Sequence, residues 1–410
     1  MSERRLEALA VAPSRALEAH ELPRVRVIVL NLNGKMHLDP CFTSLAALEY
    51  PKEKVEVVMI DNGSADGSAE HVKRTHGSVR VVENARNVGF SAGCNQGAAL
   101  PGAPEIVAFL NNDMRVDSRW LRELVAPVAR GEAQATTGKI LTWDGMRIDT
   151  AGGGMNFAGI GIQYGHHEDH GAAYEFARRT LFACGGSMAV DTKVLLDVGG
   201  FDEEFFAYYE DVDLGWRMWV LGHECRYVPT SVCYHRHSST SHKIPREMIR
   251  VLQTRNPLLA CVKNYEEANL TRVLGPLLGL AMRRIRLIAE IEDEKAYRIE
   301  AAPSSFLGVQ LSLLDRAKRK LDDRVGIKRA AAADILAVDD LLSAWGHWME
   351  RRAEVQSRRK VPDAELFELF LKPFWCTEPN ETFCELQSQL VRFAGLDRLF
   401  PPDSIAAPNW

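Results

Sequence analysis

Polar clusters that interrupt apolar runs are where this sequence can do chemistry. Asn111-Asn112-Asp113 follows the run EIVAFL at Glu105–Leu110. A carboxylate there can hold a hard divalent cation, which takes oxygen ligands and often bridges substrate phosphates. Glu210-Asp211-Val212-Asp213 places three carboxylates where a helical pattern begins, and one of them could remove a hydroxyl proton. His235 ends a short apolar run, and a neutral imidazole is a common metal ligand. Arg86-Asn87-Val88-Gly89-Phe90 through Asn95 is a glycine-bearing loop opening a helix, where unpaired N–H groups can meet an anion. Asp61-Asn62-Gly63-Ser64 through Ser68 could supply a carboxylate to a base or ribose. Gly185-Gly186-Ser187 would let backbone approach a ligand closely.

Each cluster also has a purely structural reading. Asn and Asp form turns. Asp66 is better placed to cap the following helix than to bind a ligand. Acids at a helix start are favoured by its dipole. Glycine pairs usually mark turns. A lone histidine is more often structural than ligating. What distinguishes this sequence is the order in which the clusters occur.

The elements that must position them read as α/β. Val25–Leu30 (VRVIVL), Val55–Ile60 (VEVVMI), a run near Val79–Val82 and Glu105–Leu110 have the short apolar character of buried parallel strands. Helical patterns at Met36–Leu48 and Gly89–Leu100 separate them, and another helix follows Asp61–Ser68. Such alternation predicts a doubly wound sheet, with ligands beyond the carboxyl ends of the strands. The polar breaks after Leu30, Ile60 and Leu110 fall there. Residues 135–240 are richer in glycine and aromatics. Gly152–Gly165 reads as loop and irregular strand, Glu210–Leu221 as helix, and Cys225–Val228 and Val232–His235 as two short strands. Beyond residue 242 the pattern is helical: Met248–Tyr265, Thr271–Glu292, Phe306–Arg324, Ala330–Arg352 and Ala364–Lys372. The expected organisation is an N-terminal extension at 1–23, an α/β domain at 24–265 and a helical C-terminal domain at 266–410.

Composition narrows the class. The 410 residues are 46% hydrophobic and 26% charged, ordinary for a globular protein with a substantial core. A formal net charge of −5 argues against a general nucleic-acid binder, which needs a basic face. The first twenty residues lack the apolar core of a signal peptide, and no window is long and apolar enough for a transmembrane helix. The eight cysteines form no CxxC pair, so neither a zinc ribbon nor a dense disulfide framework is expected. Reduced thiols and a cytoplasmic location follow as expectations.

Asn31-Leu32-Asn33-Gly34, Asp61–Ser68, Asn87-Val88-Gly89-Phe90 through Asn95, Leu110–Asp113, Gly185-Gly186-Ser187, Phe201-Asp202-Glu203, Tyr209–Leu214 with Arg217, and His235 together resemble glycosyltransferase family 2. The likeness covers roughly residues 24–265 and is nearest to bacterial rhamnosyltransferases and galactofuranosyltransferases. It implies a GT-A fold and an inverting, metal-dependent transfer of sugar from a nucleotide-diphosphate donor, dTDP-rhamnose or a UDP-sugar. The acceptor would be a hydroxyl of a glycan or lipid-linked molecule in surface polysaccharide synthesis. Asn31, Leu32, Asn33, Asp61, Asn62, Arg86, Asn87, Gly89, Asn95, Asn111 and Asn112 would meet the nucleotide and donor. Gly185, Gly186 and Ser187 would line the sugar site. Asp113 and His235 would hold Mg²⁺ or Mn²⁺, with Asp211 as general base beside Glu210. Position 111 is Asn where many relatives have Asp, which removes one negative charge. No QxxRW motif is present.

Two other functions fit the α/β pattern, a sugar-nucleotide nucleotidyltransferase and a catalytically silent carbohydrate-binding protein. The first resembles enzymes with a Gly-rich, Arg-bearing loop after the first strand, which Asn31–Gly34 does not provide. The second is disfavoured by the intact Asp113, Asp211 and His235. Leu274–Ile291 carries Arg283, Arg284 and Arg286 on an apolar run. Peripheral membrane contact is one reading of it; packing against the catalytic domain or a second copy is the favoured one.

Overall fold

The computed structural model describes residues 7–102, 104–236, 245–290 and 327–400. The helix expected at Phe306–Arg324 lies outside the described residues, as do His237 and Ser238.

The first half alternates strand and helix: β1 (Val25–Asn31), α1 (Lys35–Ala46), β2 (Val55–Asp61), α2 (Ser68–Thr75), β3 (Arg80–Glu83), α3 (Phe90–Ala98) and β4 (Ile106–Asn111). β1 pairs in parallel with β2 and β4, and β2 with β3. Side chains alternate between two core layers. Ile28, Val107 and Phe109 enter one, and Val27, Val29, Ala108 and Leu110 enter the other. Burial on both faces is why these strands read as unbroken apolar runs. Gly93 lets α3 lie close on β1, since a Cβ there would stand 2.5 Å from a Leu30 methyl carbon.

The second half adds β5 (Met114–Val116), α4 (Trp120–Ala129), β6 (Ala135–Thr142), β7 (Ile148–Thr150), β8 (Gly153–Met155), β9 (Gly161–Gln163), β10 (Arg178–Arg179), β11 (Ser187–Asp191), α5 (Thr192–Asp197), α6 (Glu210–Val220) and β12 (Cys225–His235). The sheet runs β10-β12-β6-β11-β4-β1-β2-β3, with β5 on β12 and β7 on β6. β11 is antiparallel to both β4 and β6, so the sheet is mixed. The order reverses between β1 and β4, which opens a crevice beyond their carboxyl ends. Asn31 and Asn111 are the residues that end these two strands.

Several elements differ from the sequence-based expectation. β6 and α4 were not expected. β6 hides because Thr136, Thr137 and Lys139 are buried polar residues. Their partners explain the burial: Thr136 donates to the Leu124 carbonyl at 2.7 Å, Thr137 to that of Ser187 at 3.0 Å, and Lys139 pairs with Glu175. The two short strands at Cys225–Val228 and Val232–His235 are one strand, β12, with a register shift between Val228 and Val232. Gly153–Gln163 closes as a β8–β9 hairpin. The described part of the N-terminal lead docks against the sheet: Val11 donates to Ala177, Arg179 donates to Leu9, and Leu9, Leu17 and Leu22 are buried.

The remaining helices are α7 (Arg246–Asn264), α8 (Glu267–Ala289), α9 (Arg329–Ser343), α10 (Trp345–Ser357), α11 (Asp363–Leu366) and α12 (Glu381–Phe393). The single helix expected at Ala330–Arg352 breaks at Ala344 into α9 and α10. The one at Ala364–Lys372 shrinks to α11 and a following turn at Phe367–Leu369. α8 buries Leu270, Val273, Leu277, Leu280, Ala281 and Ile285 and packs against α9 and α12. Its Arg284 points inward, 3.3 Å from Asp334 and 3.0 Å from the Thr254 hydroxyl, which is the packed arrangement. No helix among the described residues is long and apolar enough to cross a membrane. Cys376 and Cys384 form a disulfide, contrary to the expectation of reduced thiols throughout, and the other six cysteines are free.

Candidate active site

Three strand ends and two loops converge at the crevice. The β1 and β2 ends are tied side by side. Asn31 Nδ2 donates to Asp61 Oδ1 at 2.8 Å and to Ser64 Oγ at 3.1 Å, while Asn112 Nδ2 donates to Asn31 Oδ1 at 2.7 Å. Ser64 N–H donates to Asp61 Oδ2 at 3.0 Å. Asn33 has φ 50°, and its Oδ1 accepts from Ala65 N–H at 2.7 Å. Leu32 is half-buried between them. Asn31, Asp61 and Asn112 are nearly inaccessible, so the carboxamides brace the crevice floor rather than face a ligand. Asp66 accepts from Ser68 N–H at 3.1 Å at the start of α2 and from Lys35 N–H at 3.0 Å, joining two helix starts.

The loop before α3 behaves differently from the expectation. Asn62 anchors it from below, donating to Asn87 Oδ1 at 2.8 Å and to the Gly89 carbonyl at 3.1 Å, and accepting from Val88 N–H at 3.1 Å. Gly89 sits at φ +92°, and a Cβ there would lie 2.7 Å from both the ring and the carbonyl oxygen of Phe206. That carbonyl accepts from Phe90 N–H at 2.6 Å and Ser91 N–H at 3.3 Å. The start of α3 is therefore satisfied by protein, and it does not offer those N–H groups to an anion. Asn95 is likewise engaged, bridging the Phe201 backbone at 2.8 and 2.9 Å. Arg86 is exposed and has no partner among the described residues. Arg86, Asn87 and Asn95 border an open cleft of about 750 Å³ with Glu203 and Phe206; Asp113, Asp211 and His235 do not line it.

Acid–base groups meet on the other side of the β4 end. Asp211 Oδ2 accepts from Gly185 N–H at 2.9 Å, and Oδ1 accepts from Val212 N–H at 2.8 Å. The next residue, Gly186, accepts from Asn111 N–H at 2.9 Å. Gly185 and Gly186 thus link the start of α6 to the β4 end. Ser187 does not join them. It is fully buried, and its hydroxyl accepts from the Trp120 indole at 2.9 Å, so its expected place in a sugar site is corrected to a core contact. Burial pushes the Asp211 carboxyl up, against the backbone N–H groups of Gly185, Val212 and its own residue, which lower it. Glu210 is pushed up to about 8 by burial and then by the neighbouring Asp211 charge. Its Oε2 is buried without a hydrogen-bond partner among the described residues. Asp213 faces away, salt-bridged to Arg217 at 3.0 Å and Lys263 at 3.0 Å.

The loop that delivers this pair is strained. Phe206, Tyr208 and Tyr209 have φ of 62°, 68° and 65°, a region that costs a non-glycine residue about 1–3 kcal/mol. Asn256, fully buried on α7, holds the loop there. Its Nδ2 donates to the carbonyls of Phe205, Ala207 and Tyr208 at 2.9, 3.0 and 2.7 Å. Arg255 adds a bond to the Glu204 carbonyl at 2.6 Å.

Asp113 and His235 lie far apart in sequence yet come together, with Nε2 at 3.4 Å from Asp113 Oδ1. The other ring nitrogen, Nδ1, is 2.7 Å from Asp149 Oδ2. Asp149 lies on β7 and is 2% exposed, and sequence reading missed it because it is an isolated acid outside the polar clusters. Burial lowers the His235 pKa, but hydrogen bonds to Asp113 and Asp149 outweigh it and raise it to about 9. The donor set suits a divalent cation. Asp149 fixes the imidazole through Nδ1, which directs Nε2 and the Asp113 carboxylate at one point, an arrangement common around metal-ligating histidines.

Residues 26–193 match the family described as Glycosyl transferase family 2. The chain is 31% identical over 193 residues to the O-antigen biosynthesis protein RfbC of Myxococcus xanthus, spanning 43% of this chain and 14% of that protein. It is 28% identical over 240 residues to an N-acetylglucosaminyl-diphospho-decaprenol L-rhamnosyltransferase of Mycobacterium tuberculosis, spanning 52% of this chain and 76% of that one. Among solved structures it is similar to GalNAc-T7 with UDP, GalNAc and Mn2+, at 19% identity and a TM-score of 0.46, covering 62% of this chain and 48% of that chain. It is also similar to the mannosyltransferase PcManGT from Pyrobaculum calidifontis in complex with GDP-Man and Mn2+, at 16% identity and a TM-score of 0.46, covering 97% and 92%.

Proposed function

From the match of residues 26–193 to glycosyl transferase family 2, we propose that this chain acts as a member of that family and inverts the anomeric centre of a nucleotide-diphosphate sugar in transferring it to an acceptor hydroxyl. The observation that carries the reading is the approach of His235 to Asp113, with Asp211 tied to the same β4 end through the backbone of Gly185 and Gly186. Asp211 accepts the proton of the acceptor hydroxyl. The freed oxygen bonds to the anomeric carbon as that carbon's bond to the phosphate oxygen breaks, and the nucleoside diphosphate leaves. A single displacement of this kind inverts configuration and needs no enzyme nucleophile. A Mg²⁺ or Mn²⁺ held by Asp113 and His235 would supply Lewis-acid neutralisation of the departing diphosphate.

The chain's own residues prepare that step. Asp149 orients the imidazole of His235. Burial and the neighbouring Asp211 charge raise the Glu210 pKa, which favours its protonated form beside the base. The raised pKa of Asp211 brings the base closer to the working pH, where proton transfer is most effective. Asp61 and the Asn31–Asn33 backbone floor the nucleotide side, with Arg86 available to the donor phosphates.

The resemblance and the mycobacterial relative favour dTDP-rhamnose as donor and a lipid-linked glycan as acceptor, in surface polysaccharide assembly at the cytoplasmic side of the membrane; a UDP-hexose is the next donor to try. A thermal-shift panel of nucleotide sugars with Mn²⁺ or Mg²⁺ identifies the donor, because a ligand that binds only the native state raises apparent stability. Asp211→Asn should then retain the donor's shift and lose transfer by roughly 10²–10⁴-fold. Unchanged turnover in that variant removes Asp211 as the base. Absence of any shift or donor turnover across the panel removes the transferase reading.

A further inference from the structure

We propose a second metal site, remote from the catalytic residues, in which Asp39, His71 and His76 take a transition-metal dication of the Zn²⁺ class and staple α1 to α2. Asp39 lies on α1, His71 on α2, and His76 is the residue that caps the carboxyl end of α2. Both imidazole Nε2 atoms converge on one carboxylate oxygen, at 2.7 Å from His71 and 2.8 Å from His76. All three ligand atoms lie within 4.8 Å of one another. None of these residues belongs to the Asp113–His235–Asp149 cluster.

The chemistry of the three donors points to a metal. A carboxylate oxygen only accepts, so each ring presents an N–H at Nε2. In neutral rings, moving that proton to Nδ1 frees the Nε2 lone pairs with no change of charge. Two imidazoles and one carboxylate suit Zn²⁺ rather than Mg²⁺, which prefers oxygen ligands. With bonds of about 2.0–2.1 Å, tetrahedral Zn²⁺ sets its ligand atoms about 3.3 Å apart. The two N···O distances must therefore open by roughly half an ångström, within the reach of a carboxylate side chain that is 60% exposed. The two imidazoles are packed against their neighbours. Their side chains are 14% and 15% exposed, and the His76 ring packs against Phe42 at 5.5 Å between centroids and against His71 at 6.4 Å. The exposed side of Asp39 leaves a fourth position for water.

The consequence is mechanical. α1 follows the Asn31–Gly34 loop and α2 follows Asp61–Gly67, the two loops that floor the crevice. Asp66 already joins the starts of these helices through Lys35 N–H. A metal at Asp39, His71 and His76 adds a second tie along the same pair.

The test uses the full chain, stripped with a chelator and titrated with Zn²⁺ by calorimetry, and with Co²⁺ by its absorption spectrum. The double variant Asp113→Asn/His235→Asn should keep one Zn²⁺ equivalent and a tetrahedral Co²⁺ spectrum. His71→Gln in that background should lose both, and so should His76→Gln, while circular dichroism shows both variants folded. Single His71→Gln should keep its Mg²⁺-dependent transfer activity, which separates this site from the catalytic one. Zn²⁺ binding that is unchanged by His71→Gln and His76→Gln, or that vanishes entirely with Asp113→Asn/His235→Asn, overturns the proposal.

Discussion

At the scale of single residues, the site depends on side chains that orient others. Asp149 is the clearest case. Its Oδ2 meets His235 on the Nδ1 side, away from Asp113, and outer partners of ligating histidines are typically worth 10–100-fold in metal affinity. Asp149→Ala should weaken Mn²⁺ binding by about that factor while the donor nucleotide still binds at saturating metal, as calorimetry would show. Glu210 gives a pH prediction whose sign can be worked out. Its folded pKa of about 8 exceeds the ordinary 4.5, so the native state holds a proton that the unfolded chain releases. Stability contributed by that proton is present below pH 4.5 and is lost as pH rises to about 8. Glu210→Gln should flatten this stretch of the stability–pH curve measured by denaturant unfolding. A variant whose curve keeps the wild-type slope would place the titration elsewhere. Asp113, Asp211 and His235 were legible as residue types at strand and helix ends. Asp149 was not, because nothing local distinguishes a buried orienting acid from any other.

At the scale of elements, the α/β half was legible because both sheet faces are covered, which leaves apolar runs with polar breaks. The reading failed where tertiary partners license buried polar groups, as at Thr136, Thr137 and Lys139 in β6. It also failed at α3. The loop looked like an anion cradle, but whether helix-start N–H groups are free depends on Phe206, more than a hundred residues away. Asn256 belongs at this scale, since it acts on a loop and not on a reactant. Asn256→Ala would leave the carbonyls of Phe205, Ala207 and Tyr208 without their donor, destabilising the fold by about 1–3 kcal/mol. With the left-handed backbone of Tyr208 and Tyr209 no longer held, Asp211 should be displaced more than the donor site. The expected signature is a fall in kcat with little change in donor KM. Equal losses in both would assign Asn256 to general stability alone.

At the scale of the whole molecule, the helices after residue 245 share the core of the sheet. One cluster of buried side chains runs from Ile28 and Phe109 through Trp216 and Tyr265 to Phe370 and Phe400. A buried ionic group seals this junction. Lys263 on α7 lies 2.5 Å from Asp202 and 3.0 Å from Asp213, with Arg217 and Arg351 on the flanks at 3.0 and 3.2 Å. Burial alone would raise the Asp202 carboxyl, but Lys263 and Arg351 hold it well below the usual range. Lys263→Met removes the shared cation from two buried carboxylates and should cost about 3–5 kcal/mol in chemical denaturation. Lys263→Arg should recover part of that loss. The sequence alone determined the strand–helix alternation, the switch-point loops and the residue types at their ends, because periodicity and turn chemistry are local. Tertiary structure alone decided which polar side chains face a ligand and which brace the fold. That choice depends on partners distant in the chain, and one-dimensional spacing carries no record of them.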